Sequence, residues 1–229
     1  MTDNNNLKKA AAEQAVSYIE SGMVIGLGTG STAYYATIKV GELIKQGKLK
    51  DILAIPSSNV TEALAKELGI PLTTFKEHSR VNLTIDGADE VDKNLNLIKG
   101  GGGALLKEKI LAQASDKFFV VVDESKISTY LGEKWRVPVE VIPFALDAVI
   151  AFLKNFSIDI SIRNGKDGKV FVTDEGNYII DVNFGIMNNP HEISLLLSSR
   201  AGIVEHGIFC NMATMAFVAY KDGVRKLER

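Results

Sequence analysis

Three short segments hold residues whose types and spacing could do chemistry. The first is Gly26-Leu27-Gly28-Thr29-Gly30-Ser31-Thr32-Ala33, which follows an apolar run and opens a helical pattern. Backbone N–H groups at a helix start attract anions, and the helix dipole adds to that attraction. Glycines let the chain approach a ligand, and Thr29, Ser31 and Thr32 add hydroxyl donors. The second is Asp86-Gly87-Ala88-Asp89-Glu90-Val91-Asp92, four acids in seven residues after the apolar run Val81–Ile85. Carboxylates at the carboxyl end of a strand can hold sugar hydroxyls, bind a metal or move protons. The third is Lys99-Gly100-Gly101-Gly102-Gly103, followed by Ala104-Leu105-Leu106-Lys107-Glu108. Successive glycines lose much backbone entropy on folding, so a run of them answers a steric need. Lys99 could polarise a carbonyl or steady an enediolate, and Glu108, about one turn into the next helix, can turn back toward the loop. Lys126, in Asp123-Glu124-Ser125-Lys126, is a candidate phosphate partner.

Each segment also has a plain structural reading: a capped turn, a solvated acidic loop, a glutamate against a helix dipole, a surface lysine. Several chemistries are excluded. Gly28-x-Gly30-x-x-Ala33 matches a loose dinucleotide fingerprint, but the second strand ends in Pro56-Ser57-Ser58-Asn59 and offers no acid for a ribose. GxxxxGK[ST], HExxH, GxSxG and EF-hand spacings are absent. His78, His191 and His206 show no ligand spacing, and Cys210 sits in an apolar segment. With no cofactor or metal motif, donors for a phosphate, carboxylates and a Lys–Glu set suit one reaction. That reaction is proton transfer beside the carbonyl of a small phosphorylated sugar.

The elements that must position these residues read as alternating strands and helices over the first half. Helices are expected over Leu7–Ile19, Thr32–Ile44, Val60–Leu68 and Leu105–Ala114, with strands at Met23–Leu27, Ile52–Ile55, Val81–Ile85, Leu95–Ile98 and Phe118–Val122. This is the pattern of a doubly wound, mostly parallel sheet, and the three segments are expected along one edge of it. Near residue 130 the pattern changes. Strands at Val137–Val141, Ile158–Arg163, Val170–Thr173, Tyr178–Val182 and Gly202–Glu205, with helices from Pro143 and Asn189, predict a smaller inserted ferredoxin-like α+β domain. Thr214–Tyr220 and Val224–Leu227 read as a hairpin. The expected division is 1–130 with 207–229 for the catalytic sheet domain and 131–206 for the small domain, to which the family resemblance described below adds a role in oligomerisation.

Length and composition set the frame. The 229 residues allow one large or two small domains and a sizeable core, with 46% hydrophobic and 24% charged residues. A net charge of -2 argues against nucleic-acid binding through bulk positive charge. One cysteine excludes an internal disulfide and fits a reducing, cytoplasmic setting. The polar N-terminus carries no signal-peptide pattern, and no apolar run is long enough to span a membrane.

GLGTGSTA (Gly26 to Ala33), TIDGADEVD (Thr84 to Asp92), LIKGGGGALLKEKI (Leu97 to Ile110) and DESK (Asp123 to Lys126) together resemble ribose-5-phosphate isomerase of the A type. The resemblance covers essentially the whole chain. It implies cofactor-free aldose–ketose isomerisation of D-ribose 5-phosphate and D-ribulose 5-phosphate in the non-oxidative pentose phosphate pathway, by a homo-oligomer that is a dimer or a tetramer. It implies Glu108 as the base between C1 and C2, Asp86 as an aid to ring opening and proton movement at oxygen, and Lys99 with Asp89 as stabilisers of the enediolate. Substrate contacts implied are Thr29, Gly30, Ser31 and Thr32, then Gly87 and Ala88, then Gly100, Gly101 and Gly102, and finally Lys126. The alternatives are a sugar-phosphate-sensing module without activity, which needs a further domain or a damaged base position, and a related amino-sugar phosphate deaminase.

Overall fold

The apolar runs form thirteen strands in the computed structural model, which describes residues 2–229, with side chains from residue 5 onward. In chain order the strands are β1 (Val24–Leu27), β2 (Leu53–Pro56), β3 (Val81–Asp86), β4 (Glu90–Val91), β5 (Leu97–Ile98), β6 (Ser115–Asp123) and β7 (Val137–Val141). They continue as β8 (Asp159–Ile162), β9 (Tyr178–Asn183), β10 (Ile203–His206), β11 (Ile208–Phe209), β12 (Met215–Tyr220) and β13 (Gly223–Glu228). The α-helices are α1 (Thr2–Val16), α2 (Ser31–Lys45), α3 (Asn59–Glu67), α4 (Leu105–Ala114), α5 (Leu146–Leu153) and α6 (Pro190–Ser198).

The chain divides into two compact units. The first comprises Met1–Ala88, Lys107–Lys126 and Met212–Arg229. Its six-stranded sheet has the order β13-β12-β6-β3-β1-β2, parallel throughout except for the β12–β13 hairpin. Strands buried on both faces need apolar residues in every position; Phe118 to Val122 are all at most 2% exposed. Alanines 11, 12 and 15 of α1, together with Ala36 and Val40 of α2, pack on one face against Ile25, Leu27, Leu83, Ile85 and Phe119. Leu111 of α4 packs with Ile55 and Val81 in a separate cluster. Because β1 lies between β2 and β3, the chain leaves β1 in one direction for β2 and crosses back for β3. The carboxyl ends of β1 and β3 therefore flank the topological switch point, where sheets of this kind bind ligands.

The second unit comprises Asp89–Leu106 and Ile127–Asn211. Its four-stranded antiparallel sheet has the order β10-β7-β9-β8, and α5 and α6 connect β7 to β8 and β9 to β10. This is the expected β-α-β-β-α-β arrangement. Val137, Val139 and Val141 meet Val149, Leu153 and Leu197 in its core. A second, three-stranded sheet of order β11-β5-β4 belongs to the same unit.

Three expectations change. The first boundary falls at Ala88, not residue 130, because β4 and β5 pair with β11 and take 89–106 into the second unit. Lys99 therefore follows a strand of the small three-stranded sheet, not the edge of the large one. Val170–Thr173 is no strand: Val170 and Val172 make isolated bridges, and β9 is the neighbour of β8. The helix expected from Pro143 begins as a 3-10 turn, Pro143–Ala145, before α5.

Candidate active site

In the first unit, the loop after β1 is shaped by close approach to β3. A Cβ on Gly28 would lie 2.6 Å from the Asp86 Cα, and one on Gly26 would lie 2.8 Å from the Thr84 Cβ. Glycine at both positions lets the Gly28 N–H donate to the Ile85 carbonyl at 3.0 Å and the Thr29 N–H to Asp86 Oδ1 at 3.0 Å. Asp86, fully buried, also accepts from the Gly87 N–H at 2.7 Å. Two backbone donors thus fix this carboxylate at the switch point with charge-assisted hydrogen bonds.

Two helix starts in this unit contrast. The Ser58 side chain caps α3 by accepting from the Thr61 N–H at 3.1 Å. Helix α2 starts at Gly30, with φ of 113° and no side-chain cap. The first N–H groups of a helix have no partner within it, so those of Ser31 and Thr32 at this uncapped start are suited to an anion. The Thr29 hydroxyl lies 2.6 Å from Ser57 Oγ and donates to Ser58 Oγ at 2.8 Å, and Thr61 Oγ1 donates to the Gly28 carbonyl at 3.0 Å. This hydroxyl cluster fixes the loop from the side of β2 and α3.

Lys8 was not singled out by the sequence. Its Nζ donates to Ser31 Oγ at 2.9 Å and brings a cation to the start of α2. Nothing in the spacing separates it from Lys9, which lies 4.0 Å from Glu13. Lys126 closes a 3-10 turn, Glu124–Lys126, directly after β6 and is half-buried. Glu108 sits in the first turn of α4 and is only 3% exposed.

In the second unit, the other three acids of the segment divide by role. Fully buried Glu90 accepts from the N–H groups of Gly132, Lys134 and Trp135 at 3.0, 3.1 and 3.2 Å and clamps that loop. Asp92 accepts from the N–H groups of Asn94 and Asn96, both at 2.8 Å, and closes a turn. Asp89 is half-buried and accepts from the Gly101 N–H at 2.7 Å. Lys99 is 2% exposed, which lysine almost never is without compensation, and its Nζ lies 5.7 Å from the centre of the Phe209 ring. The Lys99 N–H donates to the Gly207 carbonyl at 2.8 Å, and Gly207 leaves room for it because a Cβ there would strike the Lys99 carbonyl oxygen. Gly100 and Gly103 have φ of 94° and 84°, values that side chains resist.

The predicted residues thus divide by unit: Thr29 to Thr32, Asp86, Gly87, Ala88, Glu108 and Lys126 in the first, and Asp89 with Lys99 to Gly102 in the second. The unit boundaries at 88/89, 106/107 and 126/127 all lie within or at the end of the motif segments. Among the described residues, no group of three or more His, Cys, Asp or Glu is placed to hold a metal ion. His206 is buried, with Nε2 3.3 and 3.2 Å from the hydroxyls of Ser194 and Ser198, a structural setting.

The profile of the ribose 5-phosphate isomerase A (phosphoriboisomerase A) family matches residues 53–223. A ribose-5-phosphate isomerase A of Desulfatibacillum aliphaticivorans is 53% identical over 228 residues, covering 100% of this chain and 99% of that one. That of Pyrococcus abyssi is 45% identical, covering 97% and 98%. A solved D-ribose-5-phosphate isomerase in complex with phospho-erythronic acid superposes with a TM-score of 0.97 at 42% identity, covering 99% of each chain. The Plasmodium falciparum ribose 5-phosphate isomerase gives 0.94 at 43%, covering 98% and 99%. The family profile and the superpositions define an isomerase with an α/β fold. The chain belongs to the ribose 5-phosphate isomerase A family.

Proposed function

We propose that this protein interconverts D-ribose 5-phosphate and D-ribulose 5-phosphate through a 1,2-enediolate, with no cofactor, in the non-oxidative pentose phosphate pathway. The observation that carries the reading is the burial of two ionisable side chains, Glu108 of the first unit at 3% and Lys99 of the second at 2% exposure, in a chain of this family. The Glu108 carboxylate takes the proton from C2 of the open-chain aldose and returns it to C1. Electrons from the breaking C2–H bond form the C1=C2 double bond, while the former carbonyl oxygen at C1 gains negative charge. The Lys99 ammonium, with Asp89, stabilises and orients that oxygen, which lowers the barrier most where charge develops. Asp86 assists ring opening and the proton shift between O1 and O2. Gly30, Ser31 and Thr32 receive the phosphate with their N–H groups and the Ser31 and Thr32 hydroxyls, helped by Lys8, while Thr29 lines the loop. Gly87, Ala88, Gly100, Gly101, Gly102 and Lys126 complete the substrate contacts.

The phospho-erythronic acid held by the solved relative supports this chemistry. A phosphorylated sugar acid carries a planar, negatively charged carboxylate, like the enediolate, and transition-state-like ligands bind tightly. The working form is proposed to be a cytoplasmic homo-oligomer, a dimer first, assembled with the help of the second unit. Phe144, Ile158 and Leu195, 97%, 74% and 59% exposed, support an apolar contact there. A coupled assay offering ribose 5-phosphate with EDTA and no nucleotide tests the activity. Turnover is expected, and its absence, or ammonia release from an amino-sugar phosphate instead, overturns the proposal.

A further inference from the structure

Within the second unit the glycine run is held by a side chain that comes from another strand pair. Arg163 follows β8 directly, and its side chain is 14% exposed. One edge of its guanidinium faces Asp181 of β9: Nε donates to Oδ2 at 2.9 Å, and Nη2 pairs with Oδ1. Such a two-point pair fixes the plane of the guanidinium. The remaining nitrogen, Nη1, donates to the Gly100 carbonyl at 2.7 Å and the Gly101 carbonyl at 3.2 Å. The Gly100 carbonyl and the Gly101 N–H belong to one planar trans peptide and point in opposite directions. Arg163 holds the oxygen end of that peptide, and the N–H end donates to Asp89 Oδ2 at 2.7 Å. Two flanking glycines give this peptide little intrinsic resistance to rotation, so these hydrogen bonds set its orientation.

We propose that Arg163 is a positioning residue for the isomerisation: through the Gly100–Gly101 peptide it fixes the Asp89 carboxylate and the backbone that follows Lys99. The inference rests on the isomerase reading above. It acts by geometry, and small misplacements at a reacting centre can lower turnover by roughly 100-fold.

The test is steady-state kinetics on ribose 5-phosphate with Arg163→Ala, Arg163→Lys and Asp181→Asn, alongside thermal unfolding. Arg163→Ala is expected to lower kcat roughly 10- to 100-fold with KM changed by less than about three-fold. Arg163→Lys, a point charge without a fork, and Asp181→Asn, which frees the fork, should fall between it and the unvaried protein. Added guanidinium ion at millimolar concentration should restore part of the Arg163→Ala turnover, a response that a merely structural defect would not give. A folded Arg163→Ala protein with kcat within about two-fold of the unvaried one, or a rise in KM alone, overturns the inference. If Arg163→Ala does not fold, unchanged kcat in both other variants overturns it. Silence of the unvaried protein defeats the isomerase reading itself, and so is distinguishable from a failure confined to Arg163.

Discussion

The two glycine-rich loops look alike as sequence and are built on opposite plans. The Gly26–Thr32 loop leaves β1, the strand next to the edge of a six-stranded, mostly parallel sheet, and its glycines permit backbone-to-backbone approach to the Asp86 segment. The Lys99–Gly103 loop leaves a two-residue strand, and side chains hold it: Arg163 at the carbonyls and Asp89 at an N–H. A loop seated on a large sheet presents fixed N–H groups, which suits a phosphate that does not react. A loop held by ionised side chains places charge beside its backbone, which suits the end of the substrate where charge develops. On the function proposed above, the first loop is the one expected to bind and the second the one expected to react.

The sharpest way to break that division is Glu108→Gln. Loss of the base should lower kcat by about 10²–10⁴-fold while the fold and substrate binding persist. Full turnover in that variant removes the proton-transfer role from α4 and erases the contrast between the loops.

Alanine at one glycine of each loop should separate stability from activity. At Gly28 the new methyl meets the Asp86 backbone, 2.6 Å away, and a strand cannot yield as a side chain can. Gly28→Ala should destabilise by roughly 1–3 kcal/mol in thermal or denaturant unfolding. At Gly101 the methyl meets Asp89 Oδ1, also at 2.6 Å, which is the end of a side chain and can shift where a strand backbone cannot. Gly101→Ala should unfold within about 1 kcal/mol of the unvaried protein and lose turnover as Asp89 is displaced. Equal destabilisation in the two variants would show that both loops rest on the same kind of support.

Lys8→Ala and Lys126→Ala probe the binding side. Each should raise KM more than it lowers kcat, by roughly ten-fold or less, since an interaction with a part of the substrate that does not react is the same in ground and transition states. An unchanged KM removes that lysine from the phosphate cradle.

Legibility from sequence followed the same division. The first unit is readable because its strands are apolar runs between helical patterns, and the expected Met23–Leu27 and Val81–Ile85 fall within one residue of β1 and β3. The small sheet is not: β4 and β11 are two residues each and carry no periodicity. That is why Lys99 was expected on the large sheet. The acidic segment reads as one cluster, although Glu90 and Asp92 hold the backbone of structural turns while Asp86 and Asp89 accept from the two glycine-rich loops. The type of residue is the same in all four, and only the partners differ. Arg163 and Lys8 act on segments 62 and 23 positions away, and no local spacing announces such contacts.

The smallest expected effect concerns Glu140, an acid of the second unit with a structural setting. It lies on β7, fully buried, and its Oε1 accepts from Thr173 Oγ1 at 2.8 Å and Asn177 Nδ2 at 3.0 Å. Burial pushes its carboxyl pKa above the ordinary 4.5, the two hydrogen bonds pull it back in part, and Glu175 and Glu205 add to the rise. Between 4.5 and the raised folded value, the folded chain keeps a proton that the unfolded chain has lost. This contribution to stability is complete below the ordinary value and is lost as pH rises through the folded value. Glu140→Gln stays neutral at every pH, so its melting temperature relative to the unvaried protein should rise across this window, by about 1–3 °C. Measured in parallel at stepped pH, two curves of constant separation would mean that Glu140 titrates alike in both states. Glu140 would then ionise in the core of the second unit without cost to stability, and the contrast between the units would narrow to the loops alone.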